Sequence, residues 1–141
     1  MQRVADAILG DVMLERGGWS SRVQYGGRTV SVHLMVDKGA DPDRWIELGR
    51  EVVSRLDSLV PAALSTLGEE LLDLANDWRE SSSSPPFLAA DLVSLFKLSG
   101  LLVFDGGTTE FCFDDADIFA GHSVVVDLRP DGRFGNARIA G

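Results

Sequence analysis

The chain has one cysteine, Cys112, so no internal disulfide can form and nothing in it calls for an oxidising compartment. It has little basic charge: 13 lysines and arginines stand against 22 acids, a net charge of -9. A nucleic-acid or anionic-membrane binder needs cations to neutralise phosphate, so neither is expected as a partner. No unbroken hydrophobic run is longer than four residues, as at Leu101–Phe104, far short of the roughly 20 that span a bilayer. The start, with Asp6 and Asp11 around a short apolar patch, does not read as a secretory signal. These absences point to the cytoplasm. Also missing are phosphate loops, dinucleotide fingerprints, paired Cys-x-x-Cys, zincin motifs and a Gly-x-Ser-x-Gly elbow. No cofactor is implied.

At 141 residues the chain has the length of about one domain, and 45% hydrophobic residues give it enough apolar surface for a core without metal or disulfide. Charge is uneven. Residues 1–36 carry four basic and three acidic groups, 37–80 five and eleven, and 81–141 four and eight. The hydrophobic period changes along with it.

The first block reads as strands. Val30, Val32, Leu34 and Val36 alternate with polar neighbours, as do Trp19, Ser21, Val23 and Tyr25, a period of two that puts one face on a core. Gly17-Gly18 and Gly26-Gly27 supply turns, so a three-stranded meander is predicted over about 11–16, 19–25 and 28–37. The second block reads as two helices. Asp41 suits an N-cap and Pro42 the first turn, with Trp45, Leu48, Val52, Leu56 and Leu59 on one stripe. Pro61 is expected to end or restart that helix. Leu64, Leu67, Leu71, Leu74, Ala75 and Trp78 form the stripe of the next, and Gly49 and Gly68 are read as tolerated weak points, with close helix approach as the alternative. Ser81–Ser84 with Pro85 and Pro86 form a linker. A short helix carrying Leu88, Leu92, Leu95 and Phe96 follows and stops near Gly100. Two hairpins close the chain, turning at Asp105-Gly106-Gly107-Thr108 and at Arg129-Pro130-Asp131-Gly132. The order predicts one α+β domain over 1–141: an antiparallel sheet from the N-terminal meander and C-terminal hairpins, with two to three helices packed on one face.

The most suggestive cluster is Asp114, Asp115, Asp117 and His122, with Glu110 and Asp127 nearby in sequence. Carboxylates with imidazole can hold a divalent cation or supply acid–base groups. The spacing matches no known cation loop, and adjacent acids on an extended segment face opposite ways, so an acidic turn capping Ile118 and Phe119 competes with a site. His122, Ser123 and Asp127 contain the letters of a hydrolase triad, but strand neighbours cannot readily bond side chain to side chain. Cys112 faces away from Phe111 and Phe113 and has no cationic neighbour to activate it; His33 is expected to face solvent. Gly132-Arg133-Phe134-Gly135 resembles a nucleic-acid clamp loop in spelling but sits in a hairpin context. Trp19 and Tyr25 fall on one strand face, and Trp45 and Trp78 on the helical apolar stripes. An exposed aromatic beside acids would mark a partner surface.

Asp114-Asp115-Ala116-Asp117-Ile118-Phe119-Ala120-Gly121-His122-Ser123, followed by Val124-Val125-Val126, resembles the C-terminal signature of a bacterial family of uncharacterised proteins, domain of unknown function twenty-two sixty-two. The ending at Ala137–Gly141 and the order of strands, acidic helices and strands are similar too. The resemblance implies no reaction, substrate or catalytic residue. Ala120 stands where the family commonly has tryptophan, and Asn136 and Arg138 where it usually has acids. A cation at Arg138 counts against a shared metal site.

Together these observations favour a non-enzymatic interaction protein with a basic protein partner, an immunity-type protein being one specific form. The alternative is a small metal-dependent enzyme or ligand-binding domain using Asp114, Asp115, Asp117 and His122, or a ligand sensor with a cavity lined by Trp19 or Tyr25. Open strand edges fit either a monomer or a homodimer.

Overall fold

The computed structural model describes residues 2–15, 18–35, 41–79 and 85–140. Of the expected features, Gly17, Val36 and the Ser81–Ser84 linker lie outside the described residues.

Four strands open the chain: β1 (Arg3–Asp6), β2 (Gly10–Glu15), β3 (Gly18–Tyr25) and β4 (Arg28–Met35). Each pairs antiparallel with the next. The meander therefore has four strands, not three. The extra one, β1, was hidden because four residues are too few to display a period. Its turn is made by side-chain chemistry: the Asp6 carboxylate accepts the N–H groups of Ile8 and Leu9 at 3.0 and 2.9 Å, and Gly10 leaves the turn at φ +74°.

Among the described residues four helices follow: α1 (Pro42–Ser54), α2 (Leu56–Glu70), α3 (Leu72–Trp78) and α4 (Ala89–Leu95). Asp41 caps α1 as its sequence suggests, its side chain accepting the Asp43 N–H at 3.0 Å. Pro61 does not end a helix. It lies inside α2, and the break falls at Arg55, six residues earlier (φ -110°, ψ 11°). A second break at Leu71 separates α2 from α3. The buried stripe runs through Val60, Ala63, Leu67, Leu71 and Ala75, while Leu74 and Trp78 are exposed. The predicted stripe was thus rotated toward the solvent. Gly49 and Gly68 are close-approach positions rather than tolerated weak points. A Cβ on Gly49 would lie 2.7 Å from Leu34 Cδ2, and one on Gly68 would lie 3.0 Å from the Ala89 carbonyl oxygen. The last helix stops at Leu95, not near Gly100, which sits instead beside a register shift in the next strand.

The chain ends with β5 (Lys97–Phe104), β6 (Thr109–Asp114), β7 (Ser123–Leu128) and β8 (Phe134–Ala140), again antiparallel in sequence. Both expected turns are present. The Gly132 N–H donates to the Arg129 carbonyl at 2.9 Å, and Gly107 and Gly132 take φ +86°. Parallel pairing of β4 with β5 joins the two meanders into one eight-stranded sheet ordered β1 to β8. The helical segment is the long crossover that a parallel pair requires. The architecture is α+β, with a larger sheet and more helices than the sequence suggested.

Registered rows make the two sheet faces distinct. Val23, Val30, Val32, Leu34, Leu101, Val103, Phe111, Phe113, Val124 and Val126 are buried along one face. Helix α1 contacts β4 and β5, and α2 contacts β7 and β8. The other face carries a row running Met13, Ser20, His33, Leu102, Glu110 and Asp127, none of it fully buried.

Candidate functional site

The acidic signature forms the connection between β6 and β7. Asp114 is the exposed last residue of β6, and its Oδ1 accepts the Ala116 N–H at 2.9 Å. Asp115 is 2% exposed and is consumed by backbone. Its Oδ1 accepts the Asp117 N–H at 2.9 Å, and its Oδ2 accepts those of Phe119 and Gly121 at 2.8 and 3.1 Å. These bonds hold a connection in which Ala116, Asp117 and Ala120 take φ of 50°, 63° and 58°, a region costly for residues with a Cβ. Burying Phe119, which is wholly inaccessible, anchors the loop to the core. Asp117 is exposed, and the His122 ring stands edge-on to Trp78 at 6.4 Å.

The four sequence candidates are thus brought into one loop, but two of their carboxylates point at backbone N–H groups. Among the described residues, no three His, Cys, Asp or Glu side chains are placed to share a metal ion. Glu110 and Asp127 lie on the open sheet face instead. There Arg138 bridges them at 3.3 and 3.0 Å, and Asn136 donates to Asp127 at 3.0 Å. Asp127 is therefore occupied elsewhere, and His122, Ser123 and Asp127 do not form a triad. Gly132–Gly135 belongs to the β7–β8 hairpin. Cys112 is half-buried on the open face, and burial together with the nearby Glu110 carboxylate pushes its thiol up to about 11. That thiol is a poor nucleophile.

Against the acidic loop lies a cleft of about 480 Å3, lined by Trp78, Arg79, Phe87, Asp117 and Ile118 among others. Trp78 is 43% exposed and packs edge-on against Phe119 at 5.5 Å. The far wall is held by Asn76. Its side chain donates to the Phe87 carbonyl at 3.2 Å and accepts the Phe87 N–H at 2.7 Å. Asp117 on the loop lines this cleft, as does Arg79, while Asp73 and Asp77 hold exposed positions of α3 and Asp114 lies 3.7 Å from Arg28. Sequence periodicity placed Trp78 in the core. Its position at the last residue of a seven-residue helix, between Asp77 and Arg79, is the signal that could have corrected this.

The other two aromatic candidates separate. Trp19 is buried at 3% exposure. Tyr25 is half-buried and lines a groove of about 380 Å3 with α2 and the α4–β5 junction. Burial and the Asp57 charge push its phenol up. His33 is half-buried on the open sheet face.

The family model described as an uncharacterized protein conserved in bacteria, DUF2262, matches residues 6–139. No curated protein and no solved structure matches the chain.

Proposed function

The chain belongs to the DUF2262 family of uncharacterised bacterial proteins, and from that premise we propose that it is a non-enzymatic protein-interaction domain whose contact surface is the Trp78 cleft. The observation that carries this is a 43%-exposed tryptophan on the wall of a formed cleft whose lining includes Asp117, with the exposed Asp77 as its chain neighbour on α3. Tryptophan is enriched at interface hot spots, where truncation to alanine costs about 2 kcal/mol or more. Carboxylates around it steer a basic partner and reject acidic ones. A net charge of -9 extends that field over the whole chain. In this proposal residues 1–141 act as one cytoplasmic α+β domain with its helices covering one face of the sheet. Neutralising a basic protein, as immunity-type proteins do, is the specific form of the role.

The test is affinity capture with the wild type, Trp78→Ala and Asp77→Asn/Asp117→Asn, at low and high salt. The expected result is a basic protein retained at low salt by the wild type, weakened by added salt and by the double substitution, and lost with Trp78→Ala. Equal recovery by wild type and Trp78→Ala, or no partner at either salt, overturns the proposal. Calorimetric titration with a divalent cation separates the metal-dependent alternative. Saturable heat that disappears with Asp117→Asn and His122→Ala would replace the interaction reading with it.

A further inference from the structure

The groove beside Tyr25 is chemically unlike the rest of this acidic molecule. Its floor is apolar, from Val60 and Leu64 of α2, Val93 of α4, Phe96 at the C-cap of α4 and Leu98 of β5. Its lining includes Arg28 and Lys97 and no carboxylate, although Asp114 faces Lys97 across the β5–β6 pair and the Asp57 charge reaches Tyr25. Two of the 13 basic side chains in the chain therefore line one apolar opening. The chain positions them deliberately in local terms. Lys97 Nζ donates to the Ser94 carbonyl at 3.1 Å, which holds the ammonium over the end of α4. Arg28 leans toward Asp114 at 3.7 Å, a long contact between exposed groups that contributes little.

We infer that this groove binds a free medium-chain fatty acid, its chain along Val60, Leu64, Val93 and Phe96 and its carboxylate between Arg28 and Lys97. The volume of about 380 Å3 falls at the low end of the roughly 300–1,000 Å3 typical of small-molecule sites, which suits one chain and not a two-tailed lipid. Apolar walls alone would accept an alcohol or a cationic amphiphile as readily. The cation pair is what selects the carboxylate. Asp114 opposes it by competing for Arg28, and so acts as a negative determinant. The site is independent of the Trp78 cleft.

Calorimetric titration below the micellar range tests this, with decanoate, decanol and decyltrimethylammonium as probes. Decanoate should bind saturably, about tenfold more tightly than decanol, and decyltrimethylammonium more weakly than either. Shortening the acid should cost about fourfold per methylene. Arg28→Gln/Lys97→Gln should bring decanoate down to the affinity of decanol without changing decanol. Asp114→Asn, which retains the oxygen that accepts from Ala116, should tighten decanoate. Ser94→Trp, an exposed position on the groove wall, should remove both ligands while circular dichroism stays that of the wild type. Trp78→Ala should leave all of these affinities unchanged. Equal binding of the acid and the alcohol, no saturable decanoate binding, or full binding by a folded Ser94→Trp variant would overturn the inference.

Discussion

Removing the Asp115 carboxylate should cost this protein stability, and the two neighbouring aspartates should not share that cost. The carboxylate accepts three backbone N–H groups, of which that of Phe119 is buried and those of Asp117 and Gly121 are partly so. A net contribution of about 1 kcal/mol for each bond gives about 3 kcal/mol for Asp115→Ala, since the orphaned donors cannot all recover water. On a chain of this length that corresponds to a fall in Tm of about 10 °C. Asp115→Asn is the finer probe. Its amide oxygen can serve Phe119 and Gly121, but its NH2 then confronts the Asp117 N–H, so roughly half the loss remains. Asp117→Asn, on an exposed side chain that caps nothing, should change stability by no more than about 0.5 kcal/mol. The assay is urea unfolding followed by tryptophan fluorescence, repeated with chelator and with added divalent cation. Were all three acids part of one ion site, Asp115→Ala and Asp117→Asn would lose the same metal-dependent increment. That outcome would refute the reasoning.

Four further expectations follow from other parts of the structure. Asp6 has its pKa lowered to about 2, first by the Arg50 guanidinium and then by the Leu9 and Ile8 N–H groups; its contribution is fully present above the unfolded-state value near 4 and lost as pH falls through about 2, so urea midpoints of wild type and Asp6→Asn should converge over that interval. With Cys112 raised to about 11, the folded protein should resist iodoacetamide at pH 8 and react fully once unfolded, as counted by mass spectrometry. Gly68→Ala should lower stability by a net of about 1 kcal/mol, read as a lower urea midpoint at unchanged m, because overpacking against the Ala89 carbonyl and Val93 outweighs the gain in helix propensity. Arg138→Ala leaves Glu110 and Asp127 facing each other across β6 and β7, for a loss of about 1 kcal/mol that adding Glu110→Gln should partly restore in thermal melts.

The parts of the fold legible in the sequence are those that local chemistry decides. Alternation in Trp19–Tyr25 and Val30–Leu34 gave β3 and β4, and Gly-rich or Pro-Asp-Gly segments gave the two late hairpins. Asp41-Pro42 gave the start of α1. Joining both ends into one sheet was also legible, because two half-buried meanders need each other's apolar faces. What escaped depended on contacts between distant segments. Pro61 is expected to end or restart a helix, yet it lies inside α2, which continues through it to Glu70 even though the proline has no N–H to offer the Asp57 carbonyl. Gly49 and Gly68 looked like weak points until Leu34 and Ala89 were seen pressed against them. The parallel β4–β5 pair leaves no local mark at all, since it is set by the length of the crossover.

The site divides the same way, and the division bears on function. Sequence could group Asp114, Asp115, Asp117 and His122, because proximity along the chain is free information. It could not show that the loop's own N–H groups take up Asp115, since that depends on three residues adopting positive φ. Once Asp115 is satisfied, the carboxylates left to act are exposed ones, and exposed carboxylates beside a half-exposed indole attract and orient a partner far better than they activate water. Trp78 shows why periodicity misled: it is the last residue of α3, and its ring packs edge-on against Phe119 at the rim of the cleft, half exposed, while Ala75 one turn earlier is buried. Phe119, which the Asp115 bonds help carry into the core, is the ring against which the indole packs, and the acidic loop is therefore as much a determinant of the proposed surface as the tryptophan itself.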